Sequence, residues 1–243
     1  ESDLKYYKNY FKGLDRQPTN VELYDLSQCN SEHARHWFFR ANFTKDIHNY
    51  IFESLMDRIK QTKDNNKNSL VSFFDNASVI QGNTISKLSL NNNKYINEIT
   101  DLHFSYKAET HNFPTSICPF PGASTGVGGR IRDTLCVGRG GEILAGTAGY
   151  SVGEIDIFNK KDYSFVLNKP TRILIEASNG ASDYGNKIGE PLIQGFTRSY
   201  RGNFKLINNS KINKRIEYLK PIMFSGGIGK IREENLTKNI SEY

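Results

Sequence analysis

The stretch KAETHNFPTSICPFPGASTGVGGRIRD, residues 107–133, joins a polar cluster to a glycine-rich run. The polar cluster consists of Lys107, Glu109, His111 and Asn112. Residues 102–109 alternate apolar and polar side chains well enough to predict a strand that ends at this cluster. The residues from Ala123 onward can form a helix despite their glycines. A strand that delivers polar side chains to a following helix is typical of an α/β or α+β domain.

Glycine is concentrated in one part of the chain. Of its 20 glycines, 10 lie between Gly122 and Gly153. A glycine-rich loop that opens into a helix leaves backbone N–H groups free to bind an anion. Neither G-x-x-x-x-G-K-[ST] nor G-x-G-x-x-G occurs, which excludes the P-loop and dinucleotide fingerprints. A glycine cluster alone is more often structural. Here carboxylates, a histidine and an arginine accompany it, which predicts a phosphate site with oxygen ligands for magnesium.

The overall composition favours a cytoplasmic globular protein. The chain has 243 residues, a net charge of +6, a pI of about 9.1 and a mean hydropathy of −0.57. No apolar run approaches the ~20 residues of a membrane-spanning helix, so we expect no membrane contact. Cys29, Cys118 and Cys136 lack C-x-x-C spacing, which favours reduced thiols over disulfides or a zinc site. The basic balance suits phosphorylated metabolites; the lysines are scattered without an arginine-rich arm, so we do not expect nucleic acid.

The N-terminal region is predicted to be helical after an extended lead-in. Residues 1–18 are polar and aromatic, and we expect them to be extended. Thr19 and Glu22 have the spacing of a capping box, so a helix should follow through about Gln28. The segment Asp46–Lys63 repeats apolar residues every four positions, which predicts an amphipathic helix packed on a sheet.

The remainder of the chain is predicted to alternate strands, helices and loops irregularly. Strands are expected at Ser69–Phe74, Ala77–Ile80, Leu102–Glu109, Gly146–Glu154, Arg172–Ala177 and Ile222–Phe224. The asparagine-rich segment Gly82–Asn97 is expected to be a surface loop. Pro114, Pro119 and Pro121 are expected to keep their segment extended and out of a helix.

Three segments together resemble the phosphoribosylformylglycinamidine synthase family. They are LYDLSQCNSEHARHWFF at 23–39, KAETHNFP…PFPGASTGVGGRIRD at 107–133 and KPIMFSGGIGKIR at 220–232. The string Gly-Ala-x-Thr-Gly-x-Gly-Gly-x-Ile-Arg-Asp is far longer than a chance glycine pattern. The resemblance runs from about residue 19 onward and implies a helical linker at 1–63. It also implies, at 64–243, an α/β domain with a mixed sheet flanked by helices, like the N-terminal domain of aminoimidazole ribonucleotide synthetase.

The resemblance also implies an activity, that of a ligase of purine biosynthesis. In this family ATP phosphorylates the amide oxygen of formylglycinamide ribonucleotide, and ammonia taken from glutamine then displaces the phosphate to give formylglycinamidine ribonucleotide. The implied cofactors are ATP and Mg²⁺. The implied partners are the remaining synthetase domains and a glutaminase domain. This chain would then be one piece of the enzyme, and we expect it to be inactive in isolation because its site would lie between domains.

The family pattern assigns roles to residues of this sequence that match its motifs. The ATP-binding residues would be Gly122, Ala123, Ser124, Thr125, Gly126, Val127, Gly128, Gly129, Arg130, Ile131, Arg132 and Asp133, with Lys107 and the second contact Gln194, Gly195 and Phe196. The substrate contacts would be Thr110, His111, Asn112 and Arg132, and the metal ligands Glu109 and Asp133. His33 and His111 would be the catalytic histidines, although spacing alone makes His33 a surface or helix-end histidine. A histidine near the reacting amide could carry a proton as ammonia adds.

The sequence departs from the family pattern at three positions. Phe113 stands where the family usually repeats histidine, Ala34 replaces a common cysteine, and Arg130 occupies a position that is often acidic or apolar. Rival interpretations are another ATP-using enzyme of the same superfamily, such as selenophosphate synthetase or thiamine-monophosphate kinase, a basic nucleic-acid-binding module, or a purely structural piece. The long glycine string and the Ser-Glu-His segment favour the synthase over its superfamily relatives.

Overall fold

The computed structural model describes residues 2–31, 37–45, 50–52, 54–155, 167–205 and 213–238. The chain divides into two compact units, Glu1–Asn65 and Asn66–Tyr243. The first unit contains α1 (Ser2–Gly13), α2 (Asn20–Cys29), α3 (Trp37–Arg40), β1 (Phe43–Lys45), β2 (Tyr50–Phe52), α4 (Leu55–Gln61) and a 3₁₀ turn at Thr62–Asn65. The assignment of these two parts as linker and synthetase domain stays a prediction.

The N-terminal helices show one confirmed and one wrong prediction. The capping box is present, since the Thr19 hydroxyl accepts from the Glu22 N–H and the Glu22 carboxylate accepts from the Thr19 N–H at 2.8 Å. The extended lead-in is wrong, because residues Ser2–Gly13 form α1. Tyr6 and Tyr10 stack one helical turn apart, with ring centroids separated by 6.5 Å. Such i, i+4 aromatic contacts support a helix that the mixed Tyr/Lys pattern did not indicate.

The helix predicted over Asp46–Lys63 is wrong in its first half. Tyr50–Phe52 instead forms β2, which pairs antiparallel with β1. Aromatic and β-branched residues in succession favour a strand, and this local preference prevails over the four-residue repeat. The helix that remains begins after Ser54, whose hydroxyl accepts from the Asp57 N–H at 3.1 Å. The first few residues of the predicted helix, 46–49, lie outside the described residues.

The second unit is built on a six-stranded sheet. Its elements are β3 (Ser69–Val71), β4 (Ser78–Asn91), β5 (Lys94–Thr110), α5 (Asn112–Ile117), α6 (Pro119–Leu135), β6 (Glu142–Val152), α7 (Pro170–Ile188), β7 (Leu192–Ser199), β8 (Arg201–Lys205), β9 (Asn213–Glu217), β10 (Ile222–Arg232) and a 3₁₀ turn at Glu233–Asn235. The strand order is β3-β4-β5-β10-β6-β7, and β8 and β9 form a separate hairpin. Only β6 and β7 pair in parallel within the sheet. The predicted mixed α/β sheet with flanking helices is confirmed.

The expected surface loop at Gly82–Asn97 is wrong, because this segment forms most of a long β-hairpin. Strands β4 and β5 pair through Asn91 and Lys94, leaving a two-residue turn of Asn92 and Asn93. Both turn residues have positive φ, 48° and 59°, which asparagine tolerates better than most residues. The two asparagines at the tip therefore mark a hairpin turn rather than a long surface loop.

Two further segments that were predicted to be extended form helices instead. The prolines begin helices instead of preventing them, since Pro119 and Pro121 lie in the first turn of α6, where a missing N–H costs little. The strand predicted at Arg172–Ala177 belongs to α7. Its buried residues Ile173, Ala177 and Ala181 recur every four positions, so the helical period extends beyond the short apolar run that suggested a strand.

The main core lies between helices α6 and α7 and one face of the sheet. It contains Ala123, Val127, Ile131, Ala148, Tyr150, Val152, Ile173, Ala177, Ala181 and Met223. The α6 and α7 helices approach closely because small residues face each other, and an added Cβ at Gly180 would lie 2.1 Å from the Phe120 carbonyl oxygen. This packing fixes α6 against β5 and β10, which carry the predicted site residues.

Candidate active site

The glycine-rich string lies inside helix α6 rather than in a loop. A Cβ added at Gly122 would approach the Thr115 nitrogen to 2.6 Å, and one at Gly128 would approach the Tyr184 ring to 2.7 Å. These glycines therefore let neighbouring helices pack closely. The N–H of Gly122 already donates to the Cys118 carbonyl at 2.8 Å, and the two first-turn prolines have no N–H. The helical part of the string thus offers no free amides as a phosphate cradle, and ATP binding by this string stays a prediction.

A charged cluster joins the end of β5 to α6. The Lys107 Nζ lies 2.8 Å from Asp133 Oδ2 and 3.3 Å from Glu109 Oε2. Arg132 binds the other Asp133 oxygen, with Nη2 at 2.8 Å. The two predicted metal ligands, 24 residues apart in sequence, therefore meet around one ammonium group. The cluster is half-open, because Asp133 is nearly buried while the Arg132 side chain is 68% exposed.

The electrostatics of this cluster favour its charged forms. Burial alone would raise the pKa of Asp133, but hydrogen bonds from Lys107 and Arg132 outweigh it and lower that pKa. Burial alone would lower the pKa of Lys107, but its bond to Asp133 and the charges of Asp133 and Glu109 raise it. The nearby opposite charges thus hold both groups ionised.

His111 lies beyond the end of β5 with a defined ring orientation. Its Nδ1 is 2.5 Å from the Gly122 carbonyl oxygen, and because a carbonyl only accepts, Nδ1 must carry the hydrogen. Nε2 of the neutral ring then holds a lone pair. A Cβ added at Gly126 would lie 2.8 Å from the His111 Cβ, so this glycine makes room for the histidine. From Gly126 to Asp133 the helix advances roughly 10 Å, which separates the imidazole from the charged cluster.

Asn112 is held by the neighbouring strand. Its Oδ1 accepts from the Met223 N–H at 2.9 Å, and the His111 N–H donates to the Met223 carbonyl at 3.0 Å. The amide oxygen of Asn112 therefore positions the turn between β5 and α5 against the start of β10. The side chain of the next residue, Phe113, is 48% exposed.

Arg130 is buried and paired within the protein. Both its guanidinium nitrogens Nη1 and Nη2 bind the Glu190 carboxylate, and its Nε donates to the Ser225 hydroxyl at 3.3 Å. The Arg130 and Glu190 side chains are both 0% exposed. The side chain of Arg130 is therefore engaged inside the domain and is not presented to ATP in this structure. Sequence reasoning did not identify Glu190; the strand glycines Gly146 and Gly227, which line this pair, were the available signal.

Two of the three residues of the second predicted nucleotide contact, Gln194 and Phe196, lie on the opposite face of the sheet, whereas Gly195 shares the row of Glu109. The register aligns Ala108, Gly226, Thr147 and Gln194 in one row across β5, β10, β6 and β7. Since side chains alternate along a strand, Gln194 shares the face of Ala108 and not that of Lys107 and Glu109. Thr110 and Phe196 belong to a parallel row on this same open face. The structure therefore does not bring Gln194 and Phe196 together with the charged cluster.

The open face carries a groove and exposed aromatic side chains. The groove has a volume of about 540 Å³ and is lined by residues that include Tyr106, Gln194 and Phe224. Phe196 lies over Gly149, with its ring centroid 6.0 Å from that of Phe224. A larger cavity of about 990 Å³ lies between α1 and α2 in the first unit and contains no predicted site residue.

The structure bears differently on the predicted catalytic His33 and on the predicted magnesium ligands Glu109 and Asp133. His33 lies outside the described residues. Within the described ranges, no group of three or more His, Cys, Asp or Glu side chains is arranged to hold a metal ion. Glu109 and Asp133 are thus a pair of carboxylates, and a magnesium ion between them would need further ligands from phosphate or water.

No helix in the described part of the chain is both long and apolar enough to cross a membrane.

Known proteins match both units of the chain. Residues 1–36 match the formylglycinamide ribonucleotide amidotransferase linker domain. A probable phosphoribosylformylglycinamidine synthase of Caenorhabditis elegans is 46% identical over 97% of this chain. The Homo sapiens phosphoribosylformylglycinamidine synthase is 44% identical over 99% of it. The chain therefore belongs, as a segment, to the phosphoribosylformylglycinamidine synthase family.

This segment of the synthase family spans about 18% of the length of these relatives. An Arabidopsis thaliana relative, 46% identical over 100% of the chain, is named as chloroplastic/mitochondrial. Among solved structures, T. maritima PurL complexed with ADP covers 95% of this chain at 22% identity, with a TM-score of 0.49 and 27% of that chain matched. T. maritima PurL complexed with FGAR has a TM-score of 0.44 at 22% identity.

Proposed function

We propose that this chain supplies part of the nucleotide site of a larger synthetase that converts formylglycinamide ribonucleotide, ATP and glutamine-derived ammonia to formylglycinamidine ribonucleotide, ADP and phosphate. The observation that carries the proposal is the cluster in which Lys107 joins Glu109 and Asp133. The names of the relatives support the reaction, and the nucleotide and FGAR complexes of T. maritima PurL support the ligands.

The residues of the cluster fit a bound magnesium ion. Two carboxylates contact the Lys107 ammonium, so this position already accommodates positive charge. Mg²⁺ in nucleotide sites is commonly held by one or two carboxylates, with phosphate and water oxygens completing its shell. When bound, the ion would neutralise charge on the phosphates. Glu109 and Asp133 would hold it, and Lys107 would turn toward the phosphate oxygens.

The other residues would bind and orient the reactants. Arg132 is exposed beside Asp133 and would bind a second anionic group of the ATP or the ribonucleotide. His111, with Nδ1–H fixed on the Gly122 carbonyl, would accept at Nε2 the proton lost as ammonia adds. His33 is proposed as a second histidine on the sequence motif alone. A cytoplasmic location is likewise part of this proposal.

The open sheet face would receive the second half of the synthetase. Phe104, Tyr106 and Phe196 are each about two-fifths exposed there, at 41%, 42% and 41%. Exposed aromatic groups beside a groove are typical of an interaction site. Thr110, Gln194 and Phe196 would then lie where the two halves meet, apart from the charged cluster. This arrangement explains why we expect the isolated chain to be inactive.

The test is a magnesium titration of turnover in the full-length enzyme that contains this chain. Asp133→Asn keeps the shape of the side chain and removes its charge. We expect it to raise the magnesium concentration needed for half-maximal rate and to lower the maximal rate, on the order of tenfold each. Glu142→Gln is the matched control, because Glu142 is an exposed carboxylate bound to Lys230 at 2.9 Å. Superimposable titrations of Asp133→Asn and the wild type would exclude Asp133 as a metal ligand.

A further inference from the structure

The buried pair of Arg130 and Glu190 lies directly beside the charged cluster. Gly227 on β10 is in register with Lys107 on one side and with Gly146 on the other. A Cβ added at Gly227 would lie 2.5 Å from Arg130 Nη1, and one at Gly146 would lie 2.6 Å from Glu190 Oε2. Two strand glycines thus form a slot that admits the guanidinium, one strand away from the Lys107 ammonium.

Arg130 and Lys107 are two cations that could compete for the same carboxylates. Arg130 and Asp133 are three residues apart on α6, a spacing that places side chains on neighbouring positions of one helix face. Ser225, which binds Arg130 Nε, is itself in register with Glu109. A guanidinium released from its present partner would therefore find Asp133 and Glu109 within its surroundings. Because it binds carboxylates with two parallel hydrogen bonds, arginine would compete well against a lysine.

We propose that Glu190 is a positioning residue for this site: by holding Arg130 in the glycine slot, it leaves Asp133 and Glu109 to Lys107. Glu190 is placed for this by the end of α7, where its N–H donates to the Gly185 carbonyl at 2.9 Å. Only the expected effect on nucleotide binding rests on the proposed function. The pairing itself is a property of the free protein and can be tested without any ligand.

The first experiment measures the accessibility of Lys107 in the full-length enzyme without nucleotide. Glu190→Gln frees Arg130 to capture Asp133, so Lys107 loses its partner. We expect its labelling by acetic anhydride, read by mass spectrometry, to rise about fivefold, as for a lost interaction of ~1 kcal/mol. Lys230 is the internal control, because its side chain is 27% exposed and it binds Glu142 independently of this pair.

The second variant separates positioning from a merely structural role. Arg130→Met combined with Glu190→Gln removes the competing cation as well as its anion. We expect Lys107 labelling and the KM for ATP to return to within about twofold of the wild type, whereas Glu190→Gln alone raises KM about tenfold. A purely structural pair predicts instead that a folded Glu190→Gln variant keeps the wild-type Lys107 labelling and KM for ATP, so that the double variant has no change to reverse. Where Glu190→Gln fails to fold, Glu190→Asp, which keeps the charge but shortens the reach, should show a smaller rise.

The outcomes separate the two proposals. Unchanged Lys107 labelling in a folded Glu190 variant, or a double variant that does not recover, would overturn the positioning role. If Lys107 labelling changes as expected while the KM for ATP stays constant, the positioning role is supported and the nucleotide does not bind at the cluster. This result would count against the proposed function but not against the positioning role.

Discussion

Two charged groups on helix α6 lie one turn apart, and they differ in how far their ion-pair partners are exposed to solvent. Arg130 is completely buried and satisfied by Glu190 and Ser225. Asp133 binds Lys107 on the inside and Arg132 on the outside, and its outer partner is mostly exposed. The same helix thus carries one ion pair closed within the protein and one cluster open to exchange partners.

The difference shows that burial decides what a charged residue in the glycine-rich string can do. A buried ion pair loses its hydration and must be fully paired, so its members are fixed by the fold. A half-open cluster keeps part of its hydration, so a ligand can replace one of its side-chain partners. Arg130 and Arg132 have the same side chain and lie two positions apart in the string, yet only Arg132 is available to a bound anion.

The largest expected effect comes from breaking the buried pair. Arg130→Met should leave the Glu190 carboxylate buried without a partner and cost about 3–5 kcal/mol of unfolding free energy. Adding Glu190→Gln should recover most of that loss, because no unpaired charge remains. Chemical denaturation of the wild type, the single variant and the double variant measures both values. Equal destabilisation by the single and double variants would contradict the charge-burial explanation.

A smaller effect is expected from filling the glycine slot. Gly227→Ala places a Cβ 2.5 Å from Arg130 Nη1, so the guanidinium must move; we expect a cost of about 1–3 kcal/mol. Gly129→Ala is the matched control in the string itself. An added Cβ there has nothing within 4 Å, and in a helix alanine should stabilise by up to about 1 kcal/mol. Similar costs at the two positions would show that the slot is not what distinguishes them.

The sequence predicted the components of the cluster but not its partners. Patterning identified the strand that carries Glu109 and the helical tendency from Ala123, and family resemblance supplied Asp133 as its counterpart. Their contact depends on how α6 packs on a sheet in which β5 pairs with β10, a strand that begins 89 residues after Asp133 (222 − 133), and no local pattern encodes this packing. Glu190 was missed for the same reason, because a glutamate before a proline has no local signature of burial.

The wrong secondary-structure predictions have different physical causes. A short apolar run such as Arg172–Ala177 has the composition of a strand, and only the buried small residues farther along α7 reveal its helical period. Prolines are helix breakers inside a helix but not in its first turn, where Pro119 and Pro121 lie. The helix expected from Ala123 is confirmed, but the free amides expected at its glycine-rich opening are not, because these glycines serve contacts with other helices and tertiary packing is not visible in the string itself.

The pH dependence of stability tests the open cluster. The folded-state pKa of Asp133 is lowered, so its contribution is present above its unfolded value of about 3.9 and is lost as pH falls through the folded pKa. Asp133→Asn should therefore cost about 1 kcal/mol at neutral pH, and its stability should converge with that of the wild type in acid. Unfolding free energies between about pH 2 and pH 7 measure this. A difference that does not change with pH would show that the loss is steric.

The smallest effect on stability is expected at the outer edge of the same cluster. Arg132 is 68% exposed and binds Asp133 through Nη2 at 2.8 Å. Such exposed pairs contribute about 0–1 kcal/mol, since solvent screens them and the long side chain loses entropy when it is held. Arg132→Gln should thus leave the unfolding free energy close to that of the wild type. Arg172→Gln, which breaks the exposed pair with Glu176 on α7, should behave alike. A loss at Arg132 well above that at Arg172 would mean that Arg132, like Arg130, is part of the structure, and that the cluster is less open to ligands than its exposure indicates.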